Sequence, residues 1–330
     1  MGVLYSLVLL LLLSTLGYLG GSISGLRLLI GVVVPYAAIF IFLAGLTYRI
    51  LQWAGAPVPF RITATGGQQK SLPWIKANRL DNPSTALGTV ARMALEVLLF
   101  RSLFRNTKAE LREGPKIVFG ESKFLWLGAL AFHWSFLMIF VRHLRFFLEP
   151  VPGLVLAAQN LDGFFRIGTP EIYITDGVIV IALGYLLLRR ILDSRIRYLS
   201  LPADYFALFL ILGLAISGIL MRYWFKTDIE AVKQLALGLV TFHPNLQDGI
   251  GALFFVHMFL LSTLIAYFPF SKLMHMGGVF LSPTRNLANN NRMKRHVNPW
   301  NYPVKVHSYQ EWEEEFKDKI IAAGLPLERE

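Results

Sequence analysis

The chain has 330 residues, of which 55% are hydrophobic, and it carries a formal net charge of +11. Its mean hydropathy of +0.51 is far above that of a water-soluble domain, so the composition indicates an integral membrane protein. The basic residues are scattered between apolar runs, which favours contact with the lipid bilayer over nucleic acid binding. The absence of cysteine excludes disulfides, thiolate-ligated iron–sulfur clusters and covalently attached c-type haem within this chain.

Six apolar segments are long enough, at about 20 residues each, to cross a bilayer as helices. They are 3–19, 27–52, 124–146, 173–193, 204–223 and 248–271. The first lacks the basic start and the cleavage site of a signal peptide, so we expect it to be retained as a helix. The sequence thus predicts an all-α polytopic membrane protein with a transmembrane domain at 1–275, which includes a long loop at 54–123, and a tail at 276–330.

Lys and Arg are distributed unequally among the segments between these helices. Three segments are basic, with 11, 4 and 8 such residues in 54–123, 189–203 and 276–330. The three that alternate with them carry 0, 1 and 2, in 20–26, 147–172 and 224–247. Because cytoplasmic loops of membrane proteins are enriched in Lys and Arg, the basic set is predicted to be cytoplasmic. Both termini are then cytoplasmic, in the inner membrane of a prokaryote.

Two segments outside the predicted spans have the pattern of amphipathic helices. In 84–105, apolar residues recur at helical spacing between arginines, and Ser84 or Thr85 can cap the helix. We expect this helix to lie on the inner membrane surface. In the tail, Ser308 and Glu311 form a capping box at the start of an acidic helix. That helix either meets a protein partner or is simply solvated.

Four of the seven histidines lie in or at the edge of predicted spans, where an unpartnered polar side chain is costly. His133 and His143 are ten residues apart on the third span, or about 15 Å along a helix axis. His257 and His275 are eighteen residues apart on the sixth, or about 27 Å, and eighteen residues make about five turns. The last two are therefore predicted to share one helix face.

The predicted topology pairs these four residues. Since the third span runs outward and the sixth inward, His133 is predicted to face His275 on the inner side, and His143 to face His257 on the outer side. Bis-imidazole ligation of two b haems stacked across the bilayer needs this arrangement. The axial separations of the two histidines on each span are unequal, about 15 and 27 Å. Helix tilt and a break at Pro269 must compensate for this difference.

Other polar residues near the histidines have less specific roles. Arg142 and Arg145 flank the outer histidine of the third span, and either contact haem propionates or snorkel to lipid headgroups. On the outer side, His243, Arg222 and Lys226 are candidates for a quinol pocket. A loop turn is the alternative interpretation of His243.

Two other classes of protein could also place histidines in membrane spans. A secondary transporter or proton channel could use them as a relay, but we find no inverted repeat, and few acidic residues lie inside the spans. A membrane anchor that only recruits soluble subunits is the other alternative.

The two histidine-bearing segments resemble a known family. "FHWSFLMIFVRH" (132–143) resembles the F-H-x(9)-H segment of the gamma (cytochrome b) subunits of respiratory nitrate reductases. "VHMFLLSTLIAYFPFSKLMH" (256–275) resembles the H-x(17)-H segment of the same family. The resemblance covers roughly 27–276. It implies that quinol is oxidised near the outer of two b haems, whose iron ligands are His133, His143, His257 and His275.

The chain departs from that family in its extra first helix, its long basic loop and its tail "SPTRNLANNNRMKRHVNPWN" (282–301). The tail and the length resemble the DsrM group (also called HmeC), the membrane cytochrome b of the sulfite-reduction-associated DsrMKJOP complex. This resemblance implies an electron-transfer subunit of an oxidoreductase complex with two b haems, using menaquinone or menaquinol. It also implies a cytoplasmic iron–sulfur partner similar to the heterodisulfide reductase catalytic subunit, besides other membrane and extracytoplasmic subunits. A gamma subunit of a respiratory nitrate reductase is the alternative.

Overall fold

A computed structural model describes residues 1–56, 78–114, 116–163, 171–289 and 306–328. The chain begins with two long helices, α1 (Gly2–Ser22) and α2 (Ser24–Ala54), joined by the single extended residue Ile23. The other long elements, in chain order, are α3 (Ala86–Leu99), β1 (Thr107–Arg112), β2 (Lys116–Glu121), α4 (Lys123–Phe146), α5 (Gly153–Asp162), α6 (Ile174–Leu192), α7 (Pro202–Tyr223), α8 (Ile229–Val240), α9 (Ala252–Phe270) and α10 (Tyr309–Ala322).

Five helices, α1, α2, α4, α7 and α9, are long and apolar enough to cross a membrane. The predicted polytopic helical membrane protein is therefore confirmed. The remaining predicted span, 173–193, forms the 19-residue helix α6, which is less apolar because it contains Asp176, Arg189 and Arg190. These charges lie in the first and last turns of α6, so its middle stays apolar, and α6 packs against α4 and α7.

Contacts at the two ends of the helix bundle show that α1 and α7 run in the opposite direction to α2 and α9. At the end that carries the N terminus, the Ser6 hydroxyl donates to the Pro202 carbonyl at the start of α7, 2.9 Å away. At the far end, Arg27 at the start of α2 donates to the Ile250 carbonyl just before α9, 2.8 Å away. The starts of α1 and α7 therefore lie at the N-terminal end, and the starts of α2 and α9 at the far end.

Glycines let α1 approach α9 closely. A Cβ at Gly17 would lie 2.9 Å from the Val256 Cα, and a Cβ at Gly21 would lie 2.7 Å from the Phe255 ring. Small residues that admit such close backbone contact are typical of helix pairs in membranes. The Phe255 side chain is fully buried at this contact.

The largest apolar cluster lies where α6, α7 and α9 meet, and includes the buried side chains of Leu183, Leu210 and Leu260. The helix α4 packs mainly against α6, whereas α9 packs mainly against α1, α2 and α7. The two helices that carry the histidines of interest are therefore held by different neighbours.

The chain is mostly helical as predicted, and β1 and β2 add one antiparallel hairpin inside the predicted loop 54–123. Successive side chains of a strand point to opposite faces, so Ile117 and Phe119 share one face and Lys116 and Val118 the other. Two helices, α5 and α8, also occupy segments predicted as outer loops. At 10 and 12 residues, both are too short to span a bilayer.

Both predicted amphipathic segments contain a helix. Thr85 caps α3 by accepting a bond from a backbone amide, and α3 ends where Phe100 adopts a left-handed conformation with φ of 50°. In the tail, Ser308 and Glu311 form the predicted capping box at the start of α10. Most of the tail motif at 282–301 lies outside the described residues, as does 57–77 of the long loop.

Candidate functional site

His133 on α4 lies close to His275, which follows α9. Their ring centroids are 5.9 Å apart, and the ring planes are nearly perpendicular, at 84°. The Phe100 ring also packs edge-on against His133, with centroids 4.9 Å apart. The structure thus brings together the two histidines that were predicted to face each other on the inner side.

His143 on α4 faces His257 on α9 in a second pair. The ring centroids are 6.4 Å apart, and the planes are nearly parallel, at 11°. This is the pair predicted for the outer side. The two pairs lie at different depths in the bundle, because His133 and His143 are separated by about 15 Å along α4.

His257 and His275 do not lie on one continuous helix, so the prediction that they share one helix face is wrong. The chain forms a 3-10 turn at Phe268–Phe270, passes through the extended residue Ser271, and forms a second 3-10 turn at Lys272–Met274. A proline inside the first turn cannot continue the helical hydrogen bonding. The predicted break is therefore present, so the separation of about 27 Å for a continuous helix does not apply to His257 and His275.

Three of the four imidazoles use Nδ1 to donate to a nearby backbone carbonyl. The Nδ1 to oxygen distances are 2.8, 2.7 and 2.8 Å in the pairs His133–Ala129, His143–Ile139 and His275–Lys272. A carbonyl oxygen can only accept, so Nδ1 carries the proton and Nε2 keeps its lone pair. Metal-binding histidines commonly use their other ring nitrogen in this way.

The fourth imidazole, His257, is oriented by a serine on a neighbouring helix. Its Nδ1 lies 2.9 Å from the Ser217 hydroxyl oxygen of α7. That hydroxyl donates its own proton to the Leu214 carbonyl, 3.0 Å away, so its oxygen accepts from His257. Ser217 was missed by the sequence analysis, where its only signal is one hydroxyl in the apolar run "LAISGIL" (214–220).

Each pair therefore brings two imidazoles close together, and each imidazole has an unprotonated Nε2. Among the residues that the structure describes, no three His, Cys, Asp or Glu side chains converge, so a metal ion here would need further ligands from another molecule. Two metal–imidazole bonds of about 2.0–2.1 Å, each extended by about 1.1 Å to the ring centre, give about 6.2 Å between centroids. The observed 5.9 and 6.4 Å agree with this value. A porphyrin supplies four equatorial nitrogens, so the donor set fits two bis-histidine haems.

Arg142 lies in an ion-pair cluster beside His143. Its side chain is buried, with Nε 3.0 Å from an Asp162 carboxylate oxygen and Nη2 3.0 Å from an Asp176 oxygen. Its guanidinium lies 3.7 Å above the centroid of the Tyr173 ring. Arg142 therefore already has two carboxylate partners, and contact with a haem propionate, one of the two roles considered for it, stays a prediction.

Arg145, the second expected propionate contact, points to a different partner. Its guanidinium donates to the Gln159 side-chain oxygen of α5, 3.1 Å away, and lies 5.7 Å from the Phe146 ring centroid. Unlike Arg142, it has no carboxylate partner among the described residues. Its role at a haem propionate also stays a prediction.

The three candidates for a quinol pocket are not assembled into one site. Arg222 donates to the Glu171 carbonyl at 2.8 and 3.2 Å, while the Lys226 side chain is exposed. His243 lies in the turn after α8 and donates to the Thr241 carbonyl, 2.8 Å away, as the alternative interpretation predicts. Within the described part of the chain, none of these three side chains contacts another.

The sequence of this chain matches the family model described as the nitrate reductase gamma subunit over residues 89–295. The matched segment covers more than half of the chain and contains all four paired histidines. The chain belongs to the nitrate reductase gamma subunit family. The match begins inside α3, later than the predicted start at residue 27, and continues into the tail.

Two relatives are similar over most of the chain, and a third over less than half of it. The "Hdr-like menaquinol oxidoreductase cytochrome b-like subunit" of Archaeoglobus fulgidus is 49% identical over 277 residues, 82% of each chain. The protein of the same name from Archaeoglobus profundus is 42% identical over 274 residues, 81% of each chain. The "Respiratory nitrate reductase 1 gamma chain" of Escherichia coli is 29% identical over 166 residues, 46% of this chain and 71% of that protein.

Proposed function

We propose that this chain is a di-haem b membrane subunit that exchanges electrons between menaquinol and a partner subunit similar to heterodisulfide reductase. The observation that carries the proposal is the two pairs of facing imidazoles, each with Nδ1 engaged and Nε2 free. The names of the two Archaeoglobus relatives, cytochrome b-like subunits of a menaquinol oxidoreductase, support the same function.

In this proposal, each histidine is an axial ligand to a haem iron. His133 and His275 hold the inner group, and His143 and His257 hold the outer one. Bound haem b supplies one-electron transfer, which lets the two electrons of menaquinol leave separately. The protein keeps the imidazoles opposed, fixes their tautomers through Ser217 and the backbone carbonyls, and surrounds them with apolar side chains.

The direction proposed is oxidation of menaquinol near the outer pair, with release of its two protons to the outside. The unequal distribution of Lys and Arg supports an inner location for the N-terminal end of the bundle, and with it both termini. Because the chain has no cysteine, an iron–sulfur acceptor must belong to a separate subunit, which we propose to lie on the cytoplasmic side. The tail resemblance supports a finer form of the proposal, a complex of dissimilatory sulfur metabolism with further membrane and extracytoplasmic subunits.

The test is haem quantitation and a reduced-minus-oxidised spectrum of the protein purified from membranes. We expect two b haems per wild-type chain. His143→Ala should keep only the inner haem, and His275→Ala should keep only the outer haem. His307→Ala, which changes a tail histidine outside both pairs, should keep two haems. A wild-type protein without haem would overturn the proposal and would favour a histidine relay for protons or a simple anchor.

The electron partner separates the proposal from its main alternative. Mild solubilisation of native membranes and isolation through a tag on this chain should recover an iron–sulfur subunit similar to the heterodisulfide reductase catalytic subunit. Recovery of a nitrate reductase catalytic subunit instead would favour the gamma-subunit alternative, while leaving the haem assignment intact.

A further inference from the structure

The cluster around Arg142 joins the far ends of four helices next to His143. Arg142 belongs to α4, Asp162 ends α5, Asp176 lies in the first turn of α6, and Tyr223 ends α7. The Arg142 guanidinium lies 3.0 Å from both carboxylates, and the Tyr223 hydroxyl donates to the second Asp176 oxygen, 2.9 Å away. None of these contacts involves an imidazole.

Two further bonds hold the Asp162 carboxylate in place. The Thr175 backbone amide and hydroxyl donate to the two Asp162 oxygens at 2.9 and 2.6 Å. Below the Arg142 guanidinium, the Tyr173 ring is buried and also contacts the Arg222 guanidinium at 3.9 Å. An ion pair in such a low-dielectric site is strong, and removal of one partner leaves an uncompensated charge.

Arg142 directly precedes His143 at the end of α4, so its ion pairs with Asp162 and Asp176 fix the last turn of the helix that carries His143. We propose that the Arg142–Asp162–Asp176 cluster positions His143 opposite His257 and sets the reduction potential of the haem held by that pair. This inference rests on the proposed function. It makes Arg142, Asp162 and Asp176 positioning residues, since none of them is a ligand.

The sign of the effect follows from charge. Reduction adds an electron to the haem, so a positive charge nearby favours the reduced form and a negative charge disfavours it. The substitution Asp176→Asn removes a negative charge and leaves Arg142 partly uncompensated, which raises the midpoint potential. The substitution Arg142→Gln removes the positive charge and leaves two carboxylates, which lowers the midpoint potential.

The experiment is a potentiometric titration of the purified, haem-loaded protein, followed by the absorbance of the b haems. His143→Ala, which retains only the inner haem, shows which midpoint belongs to which pair. We expect Asp176→Asn to raise, and Arg142→Gln to lower, the ratio of reduced to oxidised outer haem by several-fold at a fixed ambient potential. A tenfold change corresponds to 59 mV for a one-electron couple. The inner midpoint should not move.

Three further variants make the result specific. Asp176→Glu keeps the negative charge and should therefore keep the wild-type midpoint potential of the outer haem. Together with Asp176→Asn, this variant tests the inference even if Arg142→Gln does not fold. Arg142→Lys should also keep that midpoint potential. Asp228→Asn removes an exposed aspartate that caps α8, and should leave both midpoints unchanged. Shifts of the same sign in Asp176→Asn and Arg142→Gln, equal shifts of both haems, or no shift would overturn the inference. A wild-type protein without haem would overturn the proposed function itself.

Discussion

The ring planes of His143 and His257 are within 11° of parallel, whereas the planes of the other histidine pair are nearly perpendicular, at 84°. The relative orientation of two axial imidazoles determines the splitting of the iron d orbitals in low-spin ferric haem, and hence the anisotropy of its electron paramagnetic resonance spectrum. The two sites that resemble each other in ligand type should therefore be spectroscopically distinct.

We expect the oxidised protein to show two low-spin ferric signals, with the larger maximal g value arising from the perpendicular pair. His143→Ala should remove the signal with the smaller maximal g value and leave the other unchanged. His133→Ala should have the opposite effect. Two indistinguishable signals would contradict the ring geometry, although not the number of haems.

Ser217 should control how tightly the outer haem is held. Ser217→Ala removes the oxygen that accepts from His257 Nδ1, so the ring loses the hydrogen bond that ties it to α7. Loss of such an outer contact to a metal ligand typically reduces affinity by about 10- to 100-fold. The measurement is the rate of haem transfer to an excess of apomyoglobin. Ser14→Ala, which removes a hydroxyl that bonds only within α1, is the matched control and should leave the rate unchanged.

The contact between α1 and α9 should not tolerate added volume. Gly17→Ala places a methyl group 2.9 Å from the Val256 Cα, and overpacking of this kind typically costs about 1–3 kcal/mol. We expect the temperature of unfolding in detergent to fall. Gly184→Ala, where nothing lies within 4 Å of the added Cβ, should leave that temperature unchanged or raise it. Equal behaviour of the two variants would show that the close approach has no energetic role.

An ion pair at the N-terminal end should help to hold His275. Asp204 on α7 lies 2.8 Å from the Lys272 ammonium, and the Lys272 carbonyl accepts from His275 Nδ1. Because the Lys272 side chain is 75% exposed, the pair contributes at most about 1 kcal/mol. Asp204→Asn should therefore speed the loss of the inner haem by up to roughly fivefold, without affecting the outer haem. Asp193→Asn, at the cap of the short helix Ser194–Leu199, should affect neither.

The pairing of the histidines could be predicted from the sequence because topology limits which helix ends can meet. Alternating spans leave His133 only one partner at the same depth, and the structure places His275 there. The path of the chain after α9 could not be derived, since Pro269 indicates that a helix breaks but not where the chain goes next. The shared face assigned to His257 and His275 was wrong for this reason.

The carboxylate partners of Arg142 could not be predicted from the sequence, for a different reason. Asp162 lies 20 residues further along, in a segment that was predicted to be a loop, and no periodicity links it to α4. An arginine at the end of an apolar span usually reaches the lipid headgroups. That rule does not predict a carboxylate partner from another helix. Only the packing of α5 and α6 against α4 brings these groups together.

The axial offset of the two histidine pairs has a bioenergetic consequence. Ten residues of α4 correspond to about 15 Å, which is about half of a hydrocarbon core roughly 30 Å thick. One elementary charge that crosses the full membrane potential changes in energy by about 2.3 kcal/mol per 100 mV. In the proposed direction, each electron moves from the outer to the inner pair, across about half of the membrane and toward its negative side. This step costs about 1.2 kcal/mol per 100 mV of membrane potential. Together with protons released outside, this transfer would charge the membrane, so the partner must provide enough driving force to draw electrons inward.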